Sequence, residues 1–303
     1  MRPAEENQVP PAPGGEAAEN LPEPARTAPG PLLSQSQEQE PGNQPPKPQS
    51  SVPDDLRVPW SWLHVIAFVF FFFASQLVVV MGMAGYFAGA RHMKFAAVQT
   101  LLTTNTPIVV AEQLLLFGAL LFFLYVAVGV LYQVPFWRTI GWRPFGQRWT
   151  SPRLWFLTGC MLALGVGVAS SRLQPTGPMP IQELFKDRTG TLLLMGFAVL
   201  VAPLVEETIF RGFLYPVFAR SFGVPAGILL TGILFGLLHG GQLGWTWGYV
   251  GLLTTVGIIF TLVRARTGTV YASYLCHLGY NFMLFLGSAV ATKGFTHFKP
   301  PGA

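Results

Sequence analysis

Cysteine and charge are both scarce in this chain of 303 residues. The two cysteines, Cys160 and Cys276, each lie in an apolar run, which excludes a disulfide framework and any paired-cysteine metal knuckle. Charged residues make up 11% and apolar types 51%, with a mean hydropathy of +0.44. A soluble domain carries roughly 25% charge, so too little is present to coat a water-soluble enzyme of this length. Acidic residues are scarcer still beyond residue 59, where only Glu112, Glu183, Asp187, Glu206 and Glu207 remain. With Asp187 as the one aspartate there, an aspartyl pair within membrane spans is excluded. No HExxH zinc motif and no GxSG serine motif occurs.

The charge that is present is unevenly placed. Residues 1–59 hold nine acids against four basic residues, a net charge of −5, and the rest of the chain holds fifteen basic and five acidic residues, a net of +10. The first 59 residues also hold 14 of the 26 prolines. Such a segment cannot bury enough apolar surface to offset its ordering entropy, and it reads as a disordered tail.

Residues 60–303 read as an all-α polytopic membrane bundle, since a span needs about 20 apolar residues in helix. Seven runs qualify: Trp60 to Ala90, Ile108 to Leu131, Leu154 to Ala169, Thr191 to Phe218, Val224 to Leu243, Trp247 to Val263 and Val270 to Val290. Phe95 to Thr106 could add a short re-entrant piece. Arg138, Arg143, Arg148, Arg153, Arg220, Arg264 and Arg266 fall on one side of alternating spans. Arg91, Lys94, Arg172, Lys186 and Arg188 fall on the other. That bias puts the N-terminal tail in the cytoplasm of a plasma-membrane protein. Trp137, Trp142 and Trp149 among the arginines read as an interfacial anchor, Glu112 as an interfacial carboxylate, and Cys276 as a core filler. Nothing in the pattern suggests nucleic acid; the partners expected are the bilayer and a membrane-associated protein or peptide.

Polar groups at membrane depth carry the functional signal, because an ionisable residue there is costly and usually has a task. Glu206 and Glu207 lie in the fourth run. Arg211 follows Glu207 by four residues on one helical face, and the two read as an ion pair. Glu206 points about 100° away and is not committed to that pair. His239 closes the fifth run, and His277 and Asn281 share a face of the seventh. Glu206 and His239 both lie roughly 20 Å from the Gly223-Pro225 turn, and His277 and Asn281 roughly 13 to 20 Å from Gly268. The depths agree, so one cluster from three helices is expected, opening toward the cytoplasmic side. Glu206 with His239 could orient and deprotonate a water, and His277 with Asn281 could supply oxyanion donors. That set suits amide hydrolysis without a covalent nucleophile. Interhelical hydrogen bonding alone would equally account for each imidazole or amide taken singly. Glu206, His239 and His277 could also form a His₂Glu ligand set for a divalent metal such as zinc. Two rival classes are a non-enzymatic immunity or scaffold protein and a proton-coupled transporter using Glu206.

Glu206-Glu207-Thr208-Ile209-Phe210-Arg211 fits EExxxR, Phe235 to His239 fits FxxxH, and His277 to Asn281 fits HxxxN. In this order, over about residues 150–290, the three motifs resemble the CPBP family. That family includes type II CAAX prenyl endopeptidases, lysostaphin resistance protein A-like proteins and bacteriocin-processing or immunity proteins. The resemblance implies an intramembrane protease of about eight spans, often labelled a metalloprotease, although a metal-free glutamate mechanism is equally compatible. It implies that Glu206 and His239 activate water and that His277 and Asn281 stabilise the oxyanion.

Overall fold

The computed structural model describes residues 53–145, 151–174, 177, 179–185 and 187–295. The tail through residue 52, together with Arg148, Trp149 and Lys186, lies outside them. Among the described residues there is no strand. Helix α1 (Trp62–Gly85) widens into a π-helical turn at Tyr86–Ala90 and is followed by the short α2 (Phe95–Thr104). Helix α3 (Thr106–Leu124) likewise runs on into a π-helical stretch, Tyr125–Val130. Asn105 caps it by accepting from the Ile108 amide, and Pro107 sits in its first turn, where a missing N–H costs nothing. A single turn, α4 (Phe136–Thr139), precedes α5 (Pro152–Ser170).

The fourth span is one continuous helical path of 35 residues, Arg188–Phe222. It begins as α6 (Arg188–Gly196), whose N-cap Asp187 accepts from the Gly190 amide. It then alternates between α-helix and wide π-helical turns: Phe197–Val201, α7 (Ala202–Glu207), Thr208–Leu214 and α8 (Tyr215–Phe222). Each wide turn ends just before a proline, Pro203 or Pro216. A proline cannot donate to the carbonyl four residues back and its ring crowds that carbonyl, so widening the preceding turn relieves the clash. Gly223, at φ 87°, breaks the path and starts α9 (Val224–Leu238). Helices α10 (Trp247–Thr267) and α11 (Val270–Ala291) are joined through Gly268, in the left-handed region at φ 71° that favours glycine.

Among the described residues six helical paths are long and apolar enough to cross a membrane, with α2 and α9 as shorter apolar helices. The run read as Val224 to Leu243 is helical only to Leu238. At 1.5 Å per residue α9 spans about 22 Å, less than a hydrocarbon core of about 30 Å. Its last residue and His239 therefore stop within the membrane thickness.

Association of these helices rests on small residues, as expected where lipid offers no hydrophobic drive between apolar surfaces. A side chain at Gly159 of α5 would strike the Cys276 carbonyl of α11, and one at Gly279 would strike the Phe156 carbonyl of α5. Gly232 and Gly236 of α9 meet Ile258 and Thr254 of α10 in the same way. One apolar core joins α1 and α3 to the fourth span, through Phe68, Leu120, Leu124 and Phe213. A second joins α5, α10 and α11 around Phe260 and Cys276.

The chain just before α1 departs from the composition-based reading. Residues 53–59, which composition assigns to the tail, lie against the helical bundle. Leu56 is buried beside Tyr215 and Ala219, and Asp55 Oδ2 accepts from Arg264 Nη1 at 2.6 Å. Trp60 is fully buried and its indole N–H donates to the Phe213 carbonyl at 2.9 Å. Few but large contacts (Leu56, Trp60 and one ion pair) outweigh a proline-rich composition.

Candidate active site

Glu206 and Glu207 are the last two residues of α7, and their side chains part company. Glu206 lines a cavity of about 680 Å³, as do His239, His277 and Asn281. Glu207 and Arg211 are fully buried, are not among the lining residues, and pair at 3.0 Å between Oε1 and Nη1. The i, i+4 pairing expected from the sequence is present, and so is the divergence of Glu206 from it.

Arg211 is held from every side. Its Nη2 donates to the Gly257 carbonyl at 2.7 Å and its Nε to Thr261 Oγ1 at 3.2 Å, both on α10. The guanidinium carbon lies 4.7 Å from the Phe235 ring centroid and 5.4 Å from that of Phe260. A desolvated cation over aromatic faces is worth about 2 kcal/mol. Phe235 also packs on His239, and Phe260 on His277, each at 4.6 Å between centroids. The phenylalanine of FxxxH thus ties the arginine of the first motif to both imidazoles.

The two histidines are oriented through the same ring nitrogen. His239 Nδ1 is 2.7 Å from the Phe235 carbonyl, which can only accept, so Nδ1 carries the proton and Nε2 is left for other chemistry. His277 Nδ1 is 3.0 Å from Glu207 Oε1, and its Nε2 faces Glu206 Oε2 at 3.8 Å. That last separation exceeds hydrogen-bond length, so Glu206 is not tied to the ring. Asn281 Nδ2 donates at 2.7 Å to the Ala198 carbonyl in the first wide turn of the fourth span.

One sequence reading changes at this point, and two others gain detail. The cavity was expected to open toward the side of the Gly223 and Gly268 turns. Its lining instead runs from Glu206 to Thr103, Pro180, Gln242, Leu243 and Ser288, toward the opposite end of the bundle. Glu206 and His239 lie roughly 20 Å from the Gly223 turn, so for them the far end is the shorter way out. Trp142, read as an interfacial anchor, also donates its indole N–H to Thr208 Oγ1, beside Glu207, at 3.0 Å. Glu112 accepts from Gln76 Nε2 of α1 at 2.9 Å and does not line the cavity.

Both imidazoles have the outer hydrogen bond that a ligating histidine uses. Yet among the described residues no group of three or more His, Cys, Asp or Glu is placed to hold a metal ion. The set Glu206, His239 and His277 is therefore not preassembled as a ligand triad. The contributions of Phe260, Thr261, Gly257 and Trp142 lie outside the three motifs, and Thr208 holds only an unspecified position within the first. No periodicity marks them; Thr261 alone, four residues from Gly257 on one face of α10, could have been flagged as a polar group in a span.

Residues 188–283 match the family model of the type II CAAX prenyl endopeptidase Rce1-like proteins. An "Uncharacterized 24.3 kDa protein" of Escherichia coli is 30% identical over 135 residues, which are 41% of this chain and 58% of that protein's length. No solved structure matches the chain. The matched segment contains EExxxR, FxxxH and HxxxN in full. The stretch from Arg188 to Met283, an integral membrane helical unit, is thus similar in sequence to the type II CAAX prenyl endopeptidase Rce1-like proteins.

Proposed function

We propose that this protein is an intramembrane endopeptidase that hydrolyses a peptide bond of a membrane-associated protein or peptide, a class that includes prenylated and CAAX-like substrates. One observation carries the reading: Glu206, His239, His277 and Asn281, from three helices, line one cavity while Glu207 and Arg211 stand behind it. A water in that cavity meets the Glu206 carboxylate and the proton-free Nε2 of His239. These two groups orient it and take its proton as it attacks the scissile carbonyl. His277 is fixed by Glu207 at Nδ1 and turns Nε2 toward the cavity, where its protonated form donates to the developing oxyanion. The second amide proton of Asn281 is available for the same purpose. The proton held by Glu206 or His239 then passes to the leaving amine. Glu207 and Arg211 touch no reactant in this scheme and act as positioning groups.

The basic end of the bundle lies at the Gly223 and Gly268 turns. With that end in the cytoplasm of a plasma-membrane protein, as the charge bias favours, the N-terminal tail is cytoplasmic and the cavity mouth faces the opposite leaflet. The decisive experiment compares membranes holding wild-type protein with membranes holding Glu206→Gln or His239→Ala. Terminomics reads the peptides that gain a new terminus. Cleavage products lost in both variants at equal expression support the assignment, and products retained in either overturn it. Loss of thermal stability with biological activity intact would favour the scaffold reading instead.

A further inference from the structure

At the end of the bundle remote from the cavity, four guanidinium groups converge on an open recess of about 1000 Å³ lined by Arg57, Arg138, Arg143 and Arg220. Among the described residues no acidic side chain lines it. The recess is assembled from the segment before α1, the turn around α4 and the last turn of α8. Val58, Pro59, Val134 and Pro135 supply its apolar wall.

We propose that this recess binds the phosphodiester headgroup of an anionic membrane lipid. Three observations support it. First, two of the guanidinium groups are held in place by neutral partners that leave their charge uncancelled. Arg220 donates to the Val58 and Trp60 carbonyls at 2.8 and 2.6 Å, and Arg143 Nε donates to the Arg138 carbonyl at 3.2 Å. Of the acids in the described segment before α1, Asp55 is taken by Arg264, and Asp54 meets Arg57 at 3.2 Å on the exposed surface. Second, the recess lies at headgroup level. Trp137 is half exposed beside Arg138, and Trp62, at the start of α1, donates its indole N–H to Ser221 Oγ. Exposed tryptophans with a polar handle mark the membrane interface. Third, a recess that combines fixed guanidinium forks with an apolar wall suits a phosphate that carries a glycerol and acyl chains. Free phosphate shares the anionic chemistry but has no use for the wall.

The test uses the full chain purified in a neutral detergent, titrated with dioleoylphosphatidylglycerol or dioleoylphosphatidylcholine, with bound lipid counted by native mass spectrometry. Saturable retention of phosphatidylglycerol and not of phosphatidylcholine is expected. Arg138→Gln with Arg143→Gln should weaken phosphatidylglycerol binding on the order of 30-fold, and Arg138→Gln alone about 5-fold. Arg91→Gln with Lys94→Gln, at the other end of the bundle, should leave it unchanged. Melting temperatures in lipid-free detergent verify folding, and if the double variant melts early the single variant decides. Equal retention of both lipids, unchanged affinity in the Arg138→Gln variants, or equal loss in the Arg91→Gln and Lys94→Gln control would overturn the proposal. Inorganic phosphate that displaces phosphatidylglycerol at comparable concentration would overturn the lipid assignment.

Discussion

Glu207 Oε1 lies 3.0 Å from His277 Nδ1 and holds the imidazole by the edge that faces away from Glu206. The same oxygen accepts from Arg211, which is enclosed by Phe235, Phe260 and the α10 backbone. Two adjacent carboxylates therefore have separate tasks. Glu206 reaches the cavity; Glu207 faces inward and sets the orientation of a ring on another helix.

This separation predicts that Glu206→Gln and Glu207→Gln fail differently. Glu207→Gln leaves the Arg211 charge buried without its counter-ion, a loss of about 3–5 kcal/mol, read as an early melt in detergent. Glu206→Gln, at the cavity wall, should shift stability by no more than about 1 kcal/mol while cleavage is lost. Equal melting temperatures for the two variants would refute the division.

Trp60 anchors the segment before α1 to a carbonyl near the second wide turn of the motif span. Trp60→Phe keeps the ring in place but removes the donor. It should cost about 1–3 kcal/mol for a buried carbonyl left without this partner. Chemical denaturation of the variant beside wild type measures it, and an unchanged midpoint would mean that water or another donor satisfies Phe213.

The α5–α11 contact has no room for a methyl group at Gly159. Gly159→Ala should destabilise by about 1–3 kcal/mol through overpacking, whereas Gly165→Ala on the same helix, with open space around it, should be neutral. Thermal melts of the pair check the claim.

The direction of the cavity mouth is open to chemical labelling. Native Cys160 and Cys276 are buried, so an introduced thiol dominates the reaction with a membrane-impermeant maleimide. Gln242→Cys should label in intact cells and Thr139→Cys only after permeabilisation. The reverse pattern would place the cavity mouth on the cytoplasmic side.

By itself the sequence determined the helical class, the apolar runs, the Glu207–Arg211 spacing and the three motifs that carry the resemblance, because each depends on local period or on residues a few positions apart. The divergence of Glu206 from Glu207 was likewise legible, since adjacent helical residues point about 100° apart. Tertiary structure decided what each polar group faces. Phe260 and Thr261 close around Arg211 from a helix with no motif of its own, and Asn281 finds a carbonyl that a π-helical turn has freed. Asp55 and Leu56 join the bundle despite a tail-like composition. The cavity mouth lies at the end of the bundle opposite the one inferred from the turns, because α9 is too short to carry His239 across the membrane. Contacts between helices depend on which glycines let backbones approach, and those distances are set only when the whole bundle has packed.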